Sequence, residues 1–185
     1  MDGIDGLAAG EAVVVCLGVA LCHYLYNWAS SPVGFILLLA VSVTGFLYWN
    51  FPLARIFMGD GGSGFIGFIF ASLLLLDTAL SPKFLWVWLV MLGVFVVDAT
   101  WTLVNRYCLK CCLSEAHRTH AYQYAARMLQ SHRKVTQIVI LINIFWLTPI
   151  AVMIVIGYLD GFVGLCIAYM PLVYLAYRLN AGLPE

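Results

Sequence analysis

Apolar residues fill this chain in long runs rather than in stripes. Six runs, approximately Ala12 to Ala29, Val33 to Asn50, Phe65 to Leu80, Phe84 to Leu103, Gln137 to Tyr158 and Phe162 to Tyr177, are apolar around the whole helical circumference. A helix surrounded by lipid needs no polar face, and about 20 helical residues cross a hydrocarbon core about 30 Å thick. The pattern therefore predicts an all-α fold, a polytopic transmembrane helical bundle of about six spans. It forms one integral membrane domain over residues 1–185. Pro149 and Pro171 fall inside the last two runs, where kinks are expected because neighbouring groups can satisfy the freed carbonyls.

The polar segments divide into two kinds. Ser30-Ser31-Pro32, Ser81-Pro82-Lys83 and Leu159-Asp160-Gly161 are tight turns, whereas 51–64 and 105–136 are long connections. The long connections and the C-terminus carry Arg55, Arg106, Lys110, Arg118, Arg127, Arg133, Lys134 and Arg178, and only Lys83 lies on the other side. By the positive-inside rule the two long loops and both termini face the cytoplasm. Composition agrees with the pattern, since 64% of residues are hydrophobic and 10% are charged, which excludes a soluble domain. The formal net charge of zero adds nothing, because the distribution carries the information.

Candidate chemistry gathers on that face. Arg55-Ile56-Phe57-Met58-Gly59-Asp60-Gly61-Gly62-Ser63-Gly64 reads as a loop in which glycines let the backbone approach a ligand and leave amides, with the Ser63 hydroxyl, to face an anion. Asp60 is the carboxylate on which a divalent cation could sit. Gly59, Gly61 and Ser63 are the candidate substrate contacts. The bland alternative is a re-entrant turn, which leaves a costly carboxylate beside two apolar segments. The start of the chain, Met1-Asp2-Gly3-Ile4-Asp5-Gly6-Leu7-Ala8, lacks the basic region of a signal peptide and places Asp2 and Asp5 on one side of a helical turn. A loose acidic terminus is the other reading.

Glu115 to Gln130 reads as an amphipathic helix with Ala121, Ala125, Met128 and Leu129 as its apolar stripe. His117 and His120, at i and i+3, can reach a common phosphate, and Arg118 can add a bidentate contact. An interfacial helix touching anionic headgroups is the competing reading, and His132, Arg133 and Lys134 read as juxtamembrane anchors. Asp98, within the fourth run, can face a cavity or pair with Arg106 or a neighbouring helix. Asp77 and Asp160 read as solvated ends at the opposite interface. Cys108, Cys111 and Cys112 with His117 and His120 offer ligands for zinc, at a spacing too short for a usual finger. Cys16, Cys22 and Cys166 read as small apolar residues. Tyrosines and tryptophans cluster near the proposed interfaces. No nucleic-acid module is present.

Three of these segments carry a resemblance. Met1 to Ala8 resembles the end of the Asn-x-x-Asn-Phe-Met-Asp-Gly-x-Asp-Gly-Leu-Ala motif of the polytopic UDP-sugar:polyprenyl-phosphate sugar-1-phosphate transferases, glycosyltransferase family 4. Arg55 to Phe68 resembles its Gly-Asp-x-Gly-Ser-x-x-x-Gly loop. His117-Arg118-Thr119-His120-Ala121-Tyr122-Gln123 resembles the His-Arg-x-His-x-Tyr-Gln form typical of members that initiate O-antigen chains, relatives of the phospho-MurNAc-pentapeptide translocase.

The resemblance implies transfer of a sugar-1-phosphate, expected to be that of an N-acetylhexosamine, from a UDP-sugar to undecaprenyl phosphate at the cytoplasmic face of a bacterial inner membrane. UMP and a lipid-linked sugar diphosphate are the products. It implies magnesium on Asp60, with manganese able to replace it, and Asp2, Asp5 and Asp60 as catalytic residues. Partners are the UDP-sugar, undecaprenyl phosphate and the bilayer, with no nucleic acid; a homo-oligomer is compatible. Members of the family also carry an Asp-Asp-x-x-Asp motif, and this sequence has no adjacent aspartate pair. The chain thus resembles the C-terminal half of such an enzyme, and the fragment alone is expected to be inactive. A noncatalytic membrane remnant, a small transporter and a zinc-binding membrane adaptor are the alternatives.

Overall fold

The computed structural model describes residues 3–26, 32–109 and 119–183. These build α1 (Leu7–Leu25), α2 (Val33–Asn50), α3 (Gly59–Leu80), α4 (Lys83–Met91), α5 (Gly93–Cys108), α6 (Ala121–Leu129), α7 (His132–Ile142), a π-turn (Asn143–Leu147), α8 (Thr148–Ile156) and α9 (Gly161–Arg178). No strand occurs among the described residues. Five helical stretches are long and apolar enough to cross a membrane, and α4 with α5 makes a sixth if the bent pair is one span. The expected all-α polytopic bundle is the observed fold.

Helix α1 is the centre of the bundle, packed against α2, α4, α7 and α8. Its small residues make this possible: Ala9, Ala12, Val15, Cys16, Val19 and Cys22 are all buried. A Cβ on Gly10 would meet Ile140 of α7, and one on Gly18 would meet Met91 of α4. Phe84, Val87, Trp88 and Met91 of α4 complete the deepest layer. By contrast, α3 buries only Phe70, Leu73 and Asp77 among the described residues, so most of its surface is exposed.

Four boundaries depart from the hydropathy reading. Helix α1 begins at Leu7 rather than Ala12, because Glu11 is fully buried and accepts a hydrogen bond from Asn143 Nδ2 at 2.6 Å. The glycine segment 59–64 is the first part of α3 rather than a loop, so the connection proper ends at Met58. Gly59 opens the helix from a left-handed backbone (φ 68°) that favours glycine. Helix α6 starts at Ala121 and turns Ala121 and Ala126 inward, while Met128 and Leu129 of the expected stripe are exposed. The fourth apolar run is broken rather than straight, with α4 and α5 meeting at 70°.

Neither interior proline makes that break. Pro171 lies within an uninterrupted α9, and Pro149 follows the π-turn, whose wider path accommodates a residue with no N–H and a ring that crowds the carbonyl four residues back. The break falls at Leu92, next to Gly93, where a Cβ would come within 3.1 Å of Tyr169 on α9. The Tyr169 hydroxyl donates to the carbonyl of Leu89 at 2.8 Å, which satisfies an acceptor one turn before the bend. The bend throws α5 outward to pack on α9 and brings Asp98 to the start of α6.

Far from the basic loops, Asp77 is buried rather than solvated. It accepts from Trp88 Nε1 at 2.7 Å and lies 3.1 Å from His23 Nε2, tying α3 to α4 and α1. Asp160 does sit at a helix end, where its side chain accepts from the amides of Phe162 and Val163.

Candidate active site

One end of the bundle gathers the starts of α1, α3 and α7, the ends of α2, α5 and α9, and all of α6. Gly6 is the hinge of this end. Its left-handed backbone (φ 70°) starts α1, and a Cβ there would fall 2.7 Å from the Phe51 ring. The Gly6 amide donates to Asn50 Oδ1 at 2.9 Å, and Asn50 Nδ2 donates to the carbonyl of Ile56 at 2.8 Å. One buried asparagine thus fixes the connection 51–58 against the start of α1.

Asp5 is held from three sides as a result. Its Oδ2 accepts from the Ala54 amide at 3.3 Å, its Oδ1 lies 3.4 Å from His132 Nδ1, and its carbonyl accepts from the Thr136 hydroxyl at 2.8 Å. Beside it opens a cavity of about 730 Å³ lined by Leu53, Arg127, Gln130, His132 and Arg133 as well as Asp5. Two arginines and a histidine around a space of that size suit a phosphorylated ligand. Gly3, just upstream, comes so close to α6 that a Cβ would stand 2.8 Å from the Tyr122 hydroxyl.

The Tyr122 ring in turn stacks on His120, with centroids 5.5 Å apart. His120 caps the start of α6, and its Nδ1 lies 3.1 Å from Asp98 Oδ2. Asp98 Oδ1 also accepts from the Ala121 amide at 2.7 Å. Of the roles open to Asp98, the structure shows a partner on a neighbouring element rather than Arg106. Asp98 is also the one charged residue lining an apolar groove of about 250 Å³ among α5, α6, α7 and α9.

The expected site residues are distributed accordingly. Asp5 and His120 are joined through Gly3 and Tyr122, whereas Asp60 stands apart in the first turn of α3, exposed, in contact with neither. Gly59 and Gly61 face open space, and the Ser63 hydroxyl donates back to the carbonyl of Gly59. Asp2, His117 and Arg118 lie outside the described residues, as do Cys111 and Cys112 of the zinc alternative. Two contributors escaped the sequence reading. His132 had looked like a membrane anchor, because its partner Asp5 is 127 positions away. Asn50 is the last residue of the second run, and its only signal is an amide closing an apolar stretch.

The donor set also tests the metal expectation. Among the described residues no three His, Cys, Asp or Glu side chains converge. Magnesium needs no such cluster, because it keeps several waters and takes one or two carboxylates plus substrate phosphates. A single exposed Asp60 with open glycines around it fits that pattern.

Comparison with known proteins points to one family. Residues 1–78 match the model of glycosyl transferase family 4. A Bacillus subtilis protein named as a probable undecaprenyl-phosphate N-acetylglucosaminyl 1-phosphate transferase is 32% identical over 145 residues, 77% of this chain and 40% of that protein. The first 78 residues of the chain thus resemble glycosyl transferase family 4. The phospho-N-acetylmuramoyl-pentapeptide-transferase of Chlamydia muridarum is 50% identical over 68 residues, 36% of this chain and 20% of that protein. Its namesake in Synechococcus sp. (strain WH7803) is 36% identical over 111 residues, 59% of this chain and 29% of that protein. The chain therefore spans at most two fifths of these relatives. No solved structure matches it. The family 4 model covers Asp5 and Asp60 and stops short of Asp98, His120 and His132.

Proposed function

We propose that this chain forms the cytoplasmic-face substrate site of a transferase that moves a sugar-1-phosphate from a UDP-sugar, expected to carry an N-acetylhexosamine, to undecaprenyl phosphate. The setting would be a bacterial cytoplasmic membrane and the product a lipid-linked sugar diphosphate for O-antigen or a related envelope polysaccharide. The match of residues 1–78 to the family 4 model supports the reaction class, and the immobilised Asp5 beside the arginine-lined cavity is the observation that carries the site.

Reaction between two phosphate anions calls for charge neutralisation and alignment more than for a covalent intermediate. Magnesium, held by Asp60 and the ligand's own phosphates, would supply part of that neutralisation. Gly59, Gly61 and Ser63 leave the approach to Asp60 open. Asp5, with Asp2, shapes the nucleotide side, and its bonds to Ala54 and His132 hold it without rearrangement. His117, Arg118 and His120 take a substrate phosphate through charge-assisted hydrogen bonds. Turnover by the chain alone is expected to be weak or nil, since its sequence lacks an adjacent aspartate pair.

Binding is the test. The purified chain in lipid nanodiscs is titrated with UDP-N-acetylglucosamine by calorimetry, with magnesium and with chelator. Binding at least about tenfold tighter with magnesium, and competed by UMP, is expected, as for loss of one or more charged hydrogen bonds. Equal binding in chelator overturns the metal role. No binding under either condition, with transport of the sugar nucleotide into vesicles, would favour the transporter.

A further inference from the structure

We propose that residues 180–183 form a strap that sets the position of His120, with Asn105, Tyr124 and Gly182 as its positioning residues. This rests on the reading above that His120 meets a substrate phosphate.

Helix α6 needs such an anchor. It has nine residues and buries only Ala121 and Ala126, and a helix this short is not stable by itself. Asp98 provides one hold on its first turn through the Ala121 amide. The strap provides the rest. After Arg178 closes α9, Asn180 (φ 53°) and Gly182 (φ 84°) take left-handed backbones that turn the chain, and the Ala181 amide donates back to the carbonyl of Ala176 at 3.1 Å. Three hydrogen bonds, each of 2.7 Å, then tie this turn to its surroundings. The Gly182 amide donates to the carbonyl of Thr119, Asn105 Nδ2 on α5 donates to the carbonyl of Ala181, and the Tyr124 hydroxyl on α6 donates to the carbonyl of Leu183. Thr119 immediately precedes His120 and Tyr124 follows it by one helical turn, so His120 is gripped on both sides. Ala181 is fully buried and packs with Ala121 and Ala176.

Position 182 admits only glycine in this arrangement. A Cβ there would stand 2.8 Å from Asn105 Cβ and 2.8 Å from the carbonyl oxygen of Thr102, on a backbone that side chains disfavour. None of the three bonds reaches α1 or α4, which carry the deepest layer of the bundle. Loss of the strap therefore loosens the start of α6 and leaves that layer in place.

The test uses the full chain in nanodiscs and two variants. Gly182→Ala displaces the strap, whereas Tyr124→Phe removes one hydroxyl and keeps the ring that Arg127 covers. Amide hydrogen exchange across 119–124 is expected to rise at least about tenfold in Gly182→Ala and about threefold in Tyr124→Phe, with exchange in α1 and α4 unchanged. Affinity is measured separately for UDP-N-acetylglucosamine and for undecaprenyl phosphate, and for the ligand that His120 meets it is expected to fall at least about threefold in Gly182→Ala. The arm that responds names the source of the phosphate. Unchanged exchange across 119–124 in both variants overturns the proposal. So does faster exchange there with both affinities unchanged, because the strap would then serve the fold alone. If Gly182→Ala also speeds exchange in α1 and α4, Tyr124→Phe decides, and a rise in α1 and α4 in that variant too overturns the proposal. His120→Gln is the control: if it binds both ligands as wild type does, the reading that His120 meets a phosphate fails, while the exchange data still decide whether the strap positions it.

Discussion

Replacing Asp77 by leucine is a searching test of how this bundle holds its most exposed helix. Helix α3 buries only Phe70, Leu73 and Asp77, and the carboxylate links it to His23 on α1 and Trp88 on α4. Leucine keeps the branched shape, though its methyl groups are bulkier than the carboxylate oxygens, and removes both links. In water-soluble proteins each stranded donor would cost about 1–3 kcal/mol. Within bilayers interhelical hydrogen bonds average about 0.6 kcal/mol and reach about 1.7, because the unfolded chain in lipid finds other partners. Two such bonds give about 1–3 kcal/mol. For a chain of this length that lowers the melting temperature by about 3–10 °C. Replacing a whole buried pair by apolar groups can be nearly neutral, so His23→Leu in the Asp77→Leu background should cost much less than His23→Leu alone. Thermal unfolding in detergent micelles across the four variants measures this. Strict additivity, or a melting point of Asp77→Leu within about 1 °C of wild type, would refute the reasoning.

Other expectations follow from the same contacts. Gly6→Ala must accept a left-handed backbone and a Cβ 2.7 Å from Phe51, so a loss of about 2–4 kcal/mol is expected in thermal melts. Asn50→Ala leaves the Gly6 amide and the Ile56 carbonyl without their partner, at about 1–3 kcal/mol, and should increase protease cleavage within 51–58. Asp60→Asn, at an exposed side chain, should leave the melting curve unchanged while abolishing the magnesium dependence of UDP-sugar binding.

The spans were legible in the sequence because lipid imposes a one-dimensional rule: a run of apolar residues long enough to cross must be helical. Local exceptions were not. The first run starts at Ala12 by hydropathy, yet Glu11 bonds to Asn143, 132 positions away, and is an interior residue. Glycines at 59–64 argue for a loop by propensity, but hydrogen bonding within a helix outweighs propensity at the edge of a bilayer. The bend between α4 and α5 leaves no mark on hydropathy, since both halves are apolar; it lies where Gly93 packs closely against Tyr169. At the candidate site, residue types in a recognisable order pointed to Asp5, Asp60 and His120. Asn50, Asp98 and His132 became evident only once their distant partners were in place.

Manganese substituted for magnesium gives the most direct test of the central claim. The full chain in nanodiscs, loaded with Mn2+ and UDP-N-acetylglucosamine, is examined by electron–nuclear double resonance for coupling between the metal and the 31P nuclei of the nucleotide. A 31P coupling in wild type that disappears in Asp60→Asn is the predicted result. No coupling in wild type, or a coupling that persists without the Asp60 carboxylate, would contradict the account.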